Sequence, residues 1–275
     1  MVYRETAMKR VLTVAGHDLS NGAGITKDLE VFSCLGLHGI SIPTSFVVQG
    51  PKGVEDVVPV GMPVFSQMLK RAAEDMDVSG VKIGVLADAP YVNEITGWLK
   101  GLSGIPVVLD PVIEAKNGTR LLTDAGLKAV VEQLFPLITC LTPNIDEAER
   151  LLGTTIDSVE AMERAARAIG ERGPGTVVLK GGHLEGEPVD VLFDGRNVTT
   201  YAKKRAEKTV HGTGCMFSSS LLSFLVLGYP VAEAFRETQG LMEQLISRSY
   251  QPSANGYFYA FPAAITGRAT ERRRG

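Results

Sequence analysis

The chain has 275 residues, of which 44% are hydrophobic and 21% are charged, and its formal net charge is −3. This composition is ordinary for a soluble globular protein. The small net charge argues against nucleic acid or a membrane surface as a partner. Three separated cysteines without a CxxC pair argue against a zinc site and a disulfide framework, so we expect a cytoplasmic protein.

Short apolar segments alternate with amphipathic segments along the chain. The first, RVLTVAG, predicts a strand, because it is too short for a signal-peptide core or a membrane span. Later strands are predicted at GISIPTSFVVQ, VKIGVLAD, PVVLDPV, LITCLTPN and TVVLKGG. Helices are predicted between them, at 22–36, 63–75, 91–102, 122–134 and 157–172. VDVLFDG and VTTYAKKRA predict a small β-hairpin, followed by two long helices at 212–228 and 230–250.

This alternation predicts an α/β fold in which a central, mostly parallel sheet is covered by helices on both faces, as a three-layer α/β/α sandwich. The composition shows no linker, so residues 1–275 are expected to form one domain with a disordered tail at 268–275. Ligands of such folds bind beyond the carboxyl ends of the strands. The polar and glycine-rich segments GHDLSNGAG, QGPKG, DPV, TPNIDEAE and KGGH all follow predicted strands, which predicts a cleft at that edge.

The segment HGTGCMFSSS, residues 211–220, places glycines and a thiol at the start of a predicted helix. A helix N-terminus offers unpaired N–H groups and the positive end of a dipole, and glycines let a phosphate approach the backbone. Cys215 in the first turn would have a lowered pKa and could act as a general base. The alternative is a plain loop in which Cys215 is a buried apolar residue.

Two carboxylates follow predicted strands into the same cleft. Asp110 and Glu147 could hold Mg²⁺ through water, as phosphoryl transfer requires. Alternatively, Asp110 is a turn residue before Pro111, and Glu147 complements a helix N-terminus that Asn144 caps. Lys180 could steer nucleotide phosphates or be a solvated surface residue. The sequence has no Walker A, GxGxxG, HExxH or GxSxG motif, which disfavours the enzyme classes that depend on them.

Taken together, these segments resemble the ribokinase-like superfamily, and within it the hydroxymethylpyrimidine/phosphomethylpyrimidine kinases of thiamine biosynthesis. The resemblance runs from about residue 10 to about residue 230 and is carried by the order and spacing of the segments. It implies an ATP- and Mg²⁺-dependent kinase that phosphorylates the hydroxymethyl group of 4-amino-5-hydroxymethyl-2-methylpyrimidine and also its monophosphate. It further implies a homodimer whose partners are a small heteroaromatic alcohol and ATP. The segments that carry it are VLTVAGHDLSNGAGITKDLE, SFVVQGPKGV, VKIGVLAD, VVLDPVIEAKNGTRLL, LTPNIDEAERLLG, VVLKGGH and HGTGCMFSSS.

The resemblance also implies roles for individual residues. An anion hole would be formed at the start of the helix, with Cys215 as catalytic base where sugar kinases of the superfamily usually have Asp. Its other members would be Gly212, Thr213 and Gly214. The metal would be organised by Asp110 and Glu147, and the nucleotide would lie near Asn144, Lys180 and Thr209. The substrate pocket would contain Gly16, Asp28, Gln49, Val85 and Val112, with Asp28 and Gln49 bonded to the aminopyrimidine.

Several segments depart from the family pattern, mostly on the substrate side. Gly16-His17-Asp18 stands in place of Gly-Ser-Asp, Val85 in place of Met, and SANGYFYAFPAA in place of a glycine-rich closing segment. Two alternatives therefore stay open: a pyridoxal/pyridoxine kinase of the same family, and a relative that binds the ligand without turnover. A nucleotide-dependent oxidoreductase is a third, against which the missing dinucleotide fingerprint counts.

Overall fold

The computed structural model describes residues 8–50, 53–182, 187–252 and 256–262, so the tail predicted at 268–275 lies outside the described residues. Strands and helices alternate through most of these ranges. The strands are β1 (Arg10–Asp18), β2 (His38–Gly50), β3 (Gly53–Pro59), β4 (Val78–Ile83), β5 (Val107–Leu109), β6 (Cys140–Leu141), β7 (Thr176–Leu179), β8 (Val189–Phe193) and β9 (Val198–Ala202). The α-helices are α1 (Gly24–Cys34), α2 (Met62–Asp75), α3 (Ala89–Leu99), α4 (Asp124–Ala129), α5 (Ile145–Leu152), α6 (Val159–Gly170), α7 (Thr213–Val226) and α8 (Val231–Ser247).

The nine strands form one sheet in the order β3-β2-β1-β4-β5-β6-β7-β8-β9. The pairs from β2 across to β7 are parallel, whereas β3 at one edge and β8 and β9 at the other pair antiparallel. The mostly parallel sheet and the predicted hairpin of β8 and β9 are therefore confirmed.

Apolar side chains of the central strands alternate between two helical layers. In β1, Leu12 and Val14 pack in a core with residues of α2 to α6, while Val11 packs in a second core with residues of α1, α7 and α8. Successive side chains of a strand point to opposite faces, so a strand with helices on both sides is apolar throughout. The three-layer α/β/α prediction is confirmed.

Two local predictions were incomplete. The strand β3 was not predicted, because the GVEDVVP segment mixes acidic and apolar residues without a continuous apolar run; it forms by pairing with β2. The helix predicted over 122–134 is α-helical only from Asp124 to Ala129 and continues as a π-helical turn over Val130–Leu134. A 3₁₀ turn with Pro136 follows, since proline lacks the N–H that an α-helix would need there.

Among the helices of the described residues, none combines the length and the apolar character that crossing a membrane would require.

Candidate active site

The carboxyl ends of the parallel strands surround a cavity of about 220 Å³. The cleft predicted from the strand ends is confirmed. The predicted site residues that line it are Gly16, Gln49, Val85, Asp110, Val112, Asn144, Glu147, Lys180, Gly212, Thr213, Gly214 and Cys215.

Two glycine loops meet at the start of α7. Gly212 is the N-cap residue of this helix with φ of 71°, a left-handed conformation that favours glycine. A Cβ at this position would overlap the carbonyl oxygen of Gly22 in the loop before α1. The two loops therefore approach so closely that Gly212 is required both by its backbone conformation and by space.

The first turn of α7 faces the cavity. Among the described residues, no side chain caps this turn, so its backbone N–H groups are available to a ligand. A Cβ added to Gly214 would lie 3.2 Å from Asp110 Oδ2 and 3.5 Å from Lys180 Nζ. The glycine thus leaves open the space between the helix N-terminus and these two charged groups, as an anion site requires.

Cys215 lies in that first turn, and the backbone N–H of Gly24 donates to its Sγ over 3.4 Å. Burial raises the pKa of the Cys215 thiol to about 11; the Lys82 ammonium and the Gly24 N–H oppose this effect, while Asp28 and Asp110 add to it. The expectation of a lowered pKa was therefore wrong. Desolvation of the partly buried thiolate, to which the two nearby carboxylates add, outweighs the effect of the helix dipole.

Asp110, Lys180 and Glu147 form the charged end of the cavity. Lys180 Nζ lies 2.8 Å from Asp110 Oδ1, and Thr142 Oγ1 donates to the same carboxylate oxygen over 3.2 Å. Burial raises the pKa of Glu147 to about 8, and Asp110 adds to the shift while Lys180 opposes it. Cations placed beside this carboxyl would favour its ionised form.

Glu147 also holds the start of α5. Its carboxylate accepts from the Asn144 backbone N–H, and its own N–H donates to the Asn144 side chain, each over 2.8 Å. This reciprocal capping box fixes the orientation of both side chains where they line the cavity. The helix-capping interpretation of Asn144 and Glu147 is therefore confirmed, and it is compatible with a ligand-binding role.

Asp28 does not line the cavity, which corrects its expected place in the substrate pocket. Its carboxylate is fully buried and receives Thr13 Oγ1 at 2.6 Å, Lys82 Nζ at 2.8 Å and Ser219 Oγ at 2.6 Å. These three protein donors occupy most of the about four acceptor positions that a carboxylate offers. Asp28 is thus the counter-ion of Lys82 beneath the cavity rather than a direct substrate contact.

Lys82 was not singled out from the sequence, although a lysine inside the apolar strand VKIGV could have signalled a buried pair. It is fully buried, and it lines the cavity floor. Burial opposes its charge, but the carboxylates of Asp28 and Asp110, of which Asp28 contributes more, hold the pKa of Lys82 above its usual value. The site therefore contains a permanent cation below the thiol.

Thr209 lies away from the cavity lining. It is exposed, and its carbonyl accepts from the backbone N–H of Phe258 over 3.2 Å. Other lining residues were missed as well, and the polar or aromatic ones among them include Asp18, His211 and Tyr257. His211 directly precedes the glycine motif and could have been found there, whereas Tyr257 comes from the C-terminal segment that departs from the family pattern.

Comparison with known proteins places the chain in a family. The family described as phosphomethylpyrimidine kinase matches residues 18–258. A hydroxymethylpyrimidine/phosphomethylpyrimidine kinase of Aquifex aeolicus is 34% identical over 240 residues, which cover 86% of this chain and 94% of the relative. The thiamine biosynthesis bifunctional protein ThiED of Geobacter sulfurreducens is 39% identical over 249 residues, or 90% of this chain, which spans about half (51%) of that longer protein.

Solved structures of related kinases are similar to this chain over most of its length. The phosphomethylpyrimidine kinase of Clostridium difficile 630 has a TM-score of 0.77 at 35% identity and covers 86% of this chain and 99% of its own. The pyridoxal kinase of Staphylococcus aureus in complex with ADP has a TM-score of 0.86 at 28% identity, with 94% of this chain and 95% of its own covered. The chain belongs to the phosphomethylpyrimidine kinase family.

Proposed function

We propose that this member of the phosphomethylpyrimidine kinase family transfers the γ-phosphoryl group of ATP to the hydroxymethyl group of 4-amino-5-hydroxymethyl-2-methylpyrimidine, in thiamine biosynthesis. The observation that carries the proposal is one cavity that unites an uncapped helix N-terminus, the thiol of Cys215 and a charged group around Asp110. The relatives named as kinases of this pyrimidine support the choice of substrate.

The residues of the cavity suit in-line phosphoryl transfer. The substrate hydroxyl oxygen forms a bond to the γ-phosphorus, the bond from phosphorus to the β–γ bridging oxygen breaks, and ADP leaves. The hydroxyl proton passes to Sγ of the Cys215 thiolate as the oxygen attacks, so only the ionised fraction of Cys215 acts as the base. The backbone N–H groups of Gly212 to Cys215 stabilise charge on the transferring group, and losing one such donor typically costs about 3–4 kcal/mol.

Mg²⁺ is proposed as the accompanying metal, held by Asp110 and Glu147 through water and the nucleotide phosphates. Carboxylate oxygens are ligands that Mg²⁺ prefers, and the ion commonly uses only one or two of them. Asp110 and Glu147 both line the cavity, and the charge of Asp110 adds to the rise in the pKa of Glu147, so the two carboxylates lie close enough to interact. When bound, the ion would neutralise charge on the phosphates.

The second candidate is a pyridoxal kinase. It is favoured by the higher TM-score and coverage of the Staphylococcus aureus pyridoxal kinase, 0.86 and 94%, against 0.77 and 86% for the phosphomethylpyrimidine kinase. Both substrates carry a hydroxymethyl group on a flat nitrogen heterocycle. The higher sequence identity to the pyrimidine kinases, 34–35% against 28%, favours the pyrimidine.

A mass-resolved kinase assay tests the proposal. Purified protein with ATP and Mg²⁺ would be given the hydroxymethylpyrimidine, its monophosphate and the B6 vitamers, with Cys215→Ala as the matched control. We expect phosphorylation of the pyrimidine and of its monophosphate, both lost in the variant. Turnover of pyridoxal alone would favour the second candidate, and tight binding without turnover of any compound would favour a non-catalytic relative.

We further propose one kinase domain that acts as a cytoplasmic homodimer. An exposed apolar ribbon supports the dimer: Phe46 and Val58 pair across β2 and β3 at the sheet edge and are 51% and 48% exposed, and Val48 on the same face is 41% exposed. Unbridged thiols at all three cysteines suit a reducing compartment. Light scattering of wild type and Phe46→Lys would test the dimer, since the charge should yield monomers.

A further inference from the structure

One wall of the cavity is built around the imidazole of His211. Its Nε2 lies 3.0 Å from Asp18 Oδ2 and 2.8 Å from the side-chain nitrogen of Gln49. All three residues line the cavity. A single ring nitrogen therefore faces both a carboxylate and the amide that would contact the substrate.

Asp18 is held as a hydrogen-bond acceptor. Its carboxylate is buried, and it receives the backbone N–H of Ser20 at 2.8 Å, the hydroxyl of Ser20 at 2.9 Å and the N–H of Ala23 at 3.0 Å. Burial alone would raise the pKa of Asp18, but the hydrogen bonds from His211 and Ser20 lower it below its usual value. Asp18 is therefore ionised at neutral pH and has no proton to donate.

The chemistry of the two partners decides the proton on His211. Because Asp18 can only accept, Nε2 of His211 must carry the hydrogen and donate it. An N–H group cannot accept from the NH₂ of Gln49, so the amide must turn its oxygen toward His211. The two ends of an amide are isosteric, so this exchange keeps every distance. The exchange gives up the 3.4 Å contact from the Gln49 nitrogen to Ser20 Oγ and frees the NH₂ group of this cavity-lining residue to donate to a ligand.

The ring of His211 is held firmly in this orientation. Tyr257 stacks on one face of the ring, with centroids 5.3 Å apart and planes 21° from parallel. A Cβ on Gly22 would overlap the same ring, so that loop packs against it as well. The backbone N–H of His211 donates to Phe258 over 2.8 Å, which ties the ring to the C-terminal segment 256–260.

We propose that Asp18 and His211 are positioning residues that orient the Gln49 amide, so that the site selects heterocycles presenting an unprotonated ring nitrogen to its NH₂ group. Tyr257 and the loop that contains Gly22 restrict the movement of the His211 ring, which in turn fixes the orientation of the Gln49 amide. The inference rests on the proposed function, since it takes Gln49 as a substrate contact.

Paired ligands test the inference. Binding of the hydroxymethylpyrimidine would be measured by calorimetry beside two pyridine analogues, in each of which one ring nitrogen is replaced by C–H. Wild type should bind one analogue roughly ten- to a hundredfold more weakly, since the buried NH₂ donor loses its acceptor. In Asp18→Leu, which removes the acceptor, and in His211→Phe this preference should vanish, while the affinity for ATP stays within about twofold of wild type.

A second variant keeps the test informative if either of these fails to fold. Gln49→Glu is isosteric, leaves Asp18 and His211 in place and removes the NH₂ donor, so it should also lose the preference. Tyr257→Phe, which keeps the stacked ring, should retain it, whereas Tyr257→Ala should weaken it. Folding of each variant would be checked by circular dichroism and ATP binding.

The outcomes separate this inference from the proposed function. If wild type phosphorylates the pyrimidine and Gln49→Glu, or a folded Asp18 or His211 variant, keeps the full wild-type preference, the positioning role is overturned and the kinase assignment stands. If wild type phosphorylates no hydroxymethyl heterocycle, the proposed function itself fails. A wild type that binds both analogues as tightly as the pyrimidine would also overturn the inference.

Discussion

Replacing Lys82 by methionine should strongly destabilise the fold, because it removes the cation from a fully buried ion pair. Lys82 and Asp28 have no exposed side-chain surface, and Nζ lies 2.8 Å from Oδ2. Methionine has a similar length and fits an apolar strand. The substitution therefore tests charge compensation with little change in packing.

The magnitude follows from the distance and the remaining partners. At 2.8 Å and an effective dielectric constant of about 20, the attraction is about 6 kcal/mol. Asp28 keeps the hydroxyl donors of Thr13 and Ser219 in the variant, which offset part of this loss. Removing one partner of a buried pair typically costs about 3–5 kcal/mol, and we expect Lys82→Met to fall in that range.

The assay is urea unfolding monitored by circular dichroism, with two comparison variants. Lys128→Met breaks an ion pair with Glu132 whose side chains are 74% and 58% exposed, so it should cost at most about 0.5 kcal/mol. The double variant Lys82→Met, Asp28→Asn leaves no buried charge in the pair and should recover most of the loss.

An equal loss of unfolding free energy in Lys82→Met and Lys128→Met would refute the reasoning, because burial would then add nothing to the contribution of the ion pair. A double variant as unstable as the single one would also refute it, since the loss would come from packing rather than from an uncompensated carboxylate.

Three further predictions concern the glycine motif. Cys215→Ala should lower kcat at least about a hundredfold with nearly unchanged KM for ATP, as steady-state kinetics would show. A variant that keeps the wild-type kcat would exclude Cys215 as the base. Because the pKa of Cys215 is about 11, the thiolate fraction and kcat/KM for the pyrimidine should rise with pH through pH 9; a plateau below pH 8 would contradict this. Gly212→Ala should lower the midpoint of thermal unfolding and phosphate affinity, since a Cβ would strike Gly22, whereas the exposed Gly182→Ala should not.

The cavity brings together groups whose charges depend on one another. The Lys82 ammonium acts on Cys215, and Lys180 acts on both Asp110 and Glu147. The pKa of the Cys215 thiol is about 11, and that of Glu147 is about 8. Nucleotide and metal would change these charges when they bind, so we expect substrate and nucleotide binding to be coupled.

The architecture was largely predictable from local patterns. Alternation of short apolar runs with amphipathic segments predicted the parallel sheet and its two helical layers, because burial on both faces makes central strands apolar throughout. HGTGC predicted an open helix N-terminus, and the positions of Asp110 and Glu147 after strands predicted their meeting at one edge. These features depend on residues close together in the chain.

Other features depend on residues far apart in the chain, and only the tertiary structure decided them. Asp28 is 54 residues from Lys82 in the chain, and because it pairs with this lysine it does not line the substrate pocket where we expected it. The pKa of Cys215 rises because folding partly desolvates the thiol and places two carboxylates near it, an effect that no local pattern encodes.

The sequence by itself therefore determined which chemical groups the site contains and which edge of the sheet carries them. The tertiary structure decided which of these groups face the ligand and which neutralise one another. It also decided which ring nitrogen of His211 carries the proton. The physical reason is that hydrophobic periodicity is a local property, whereas desolvation and charge pairing arise when distant segments pack together.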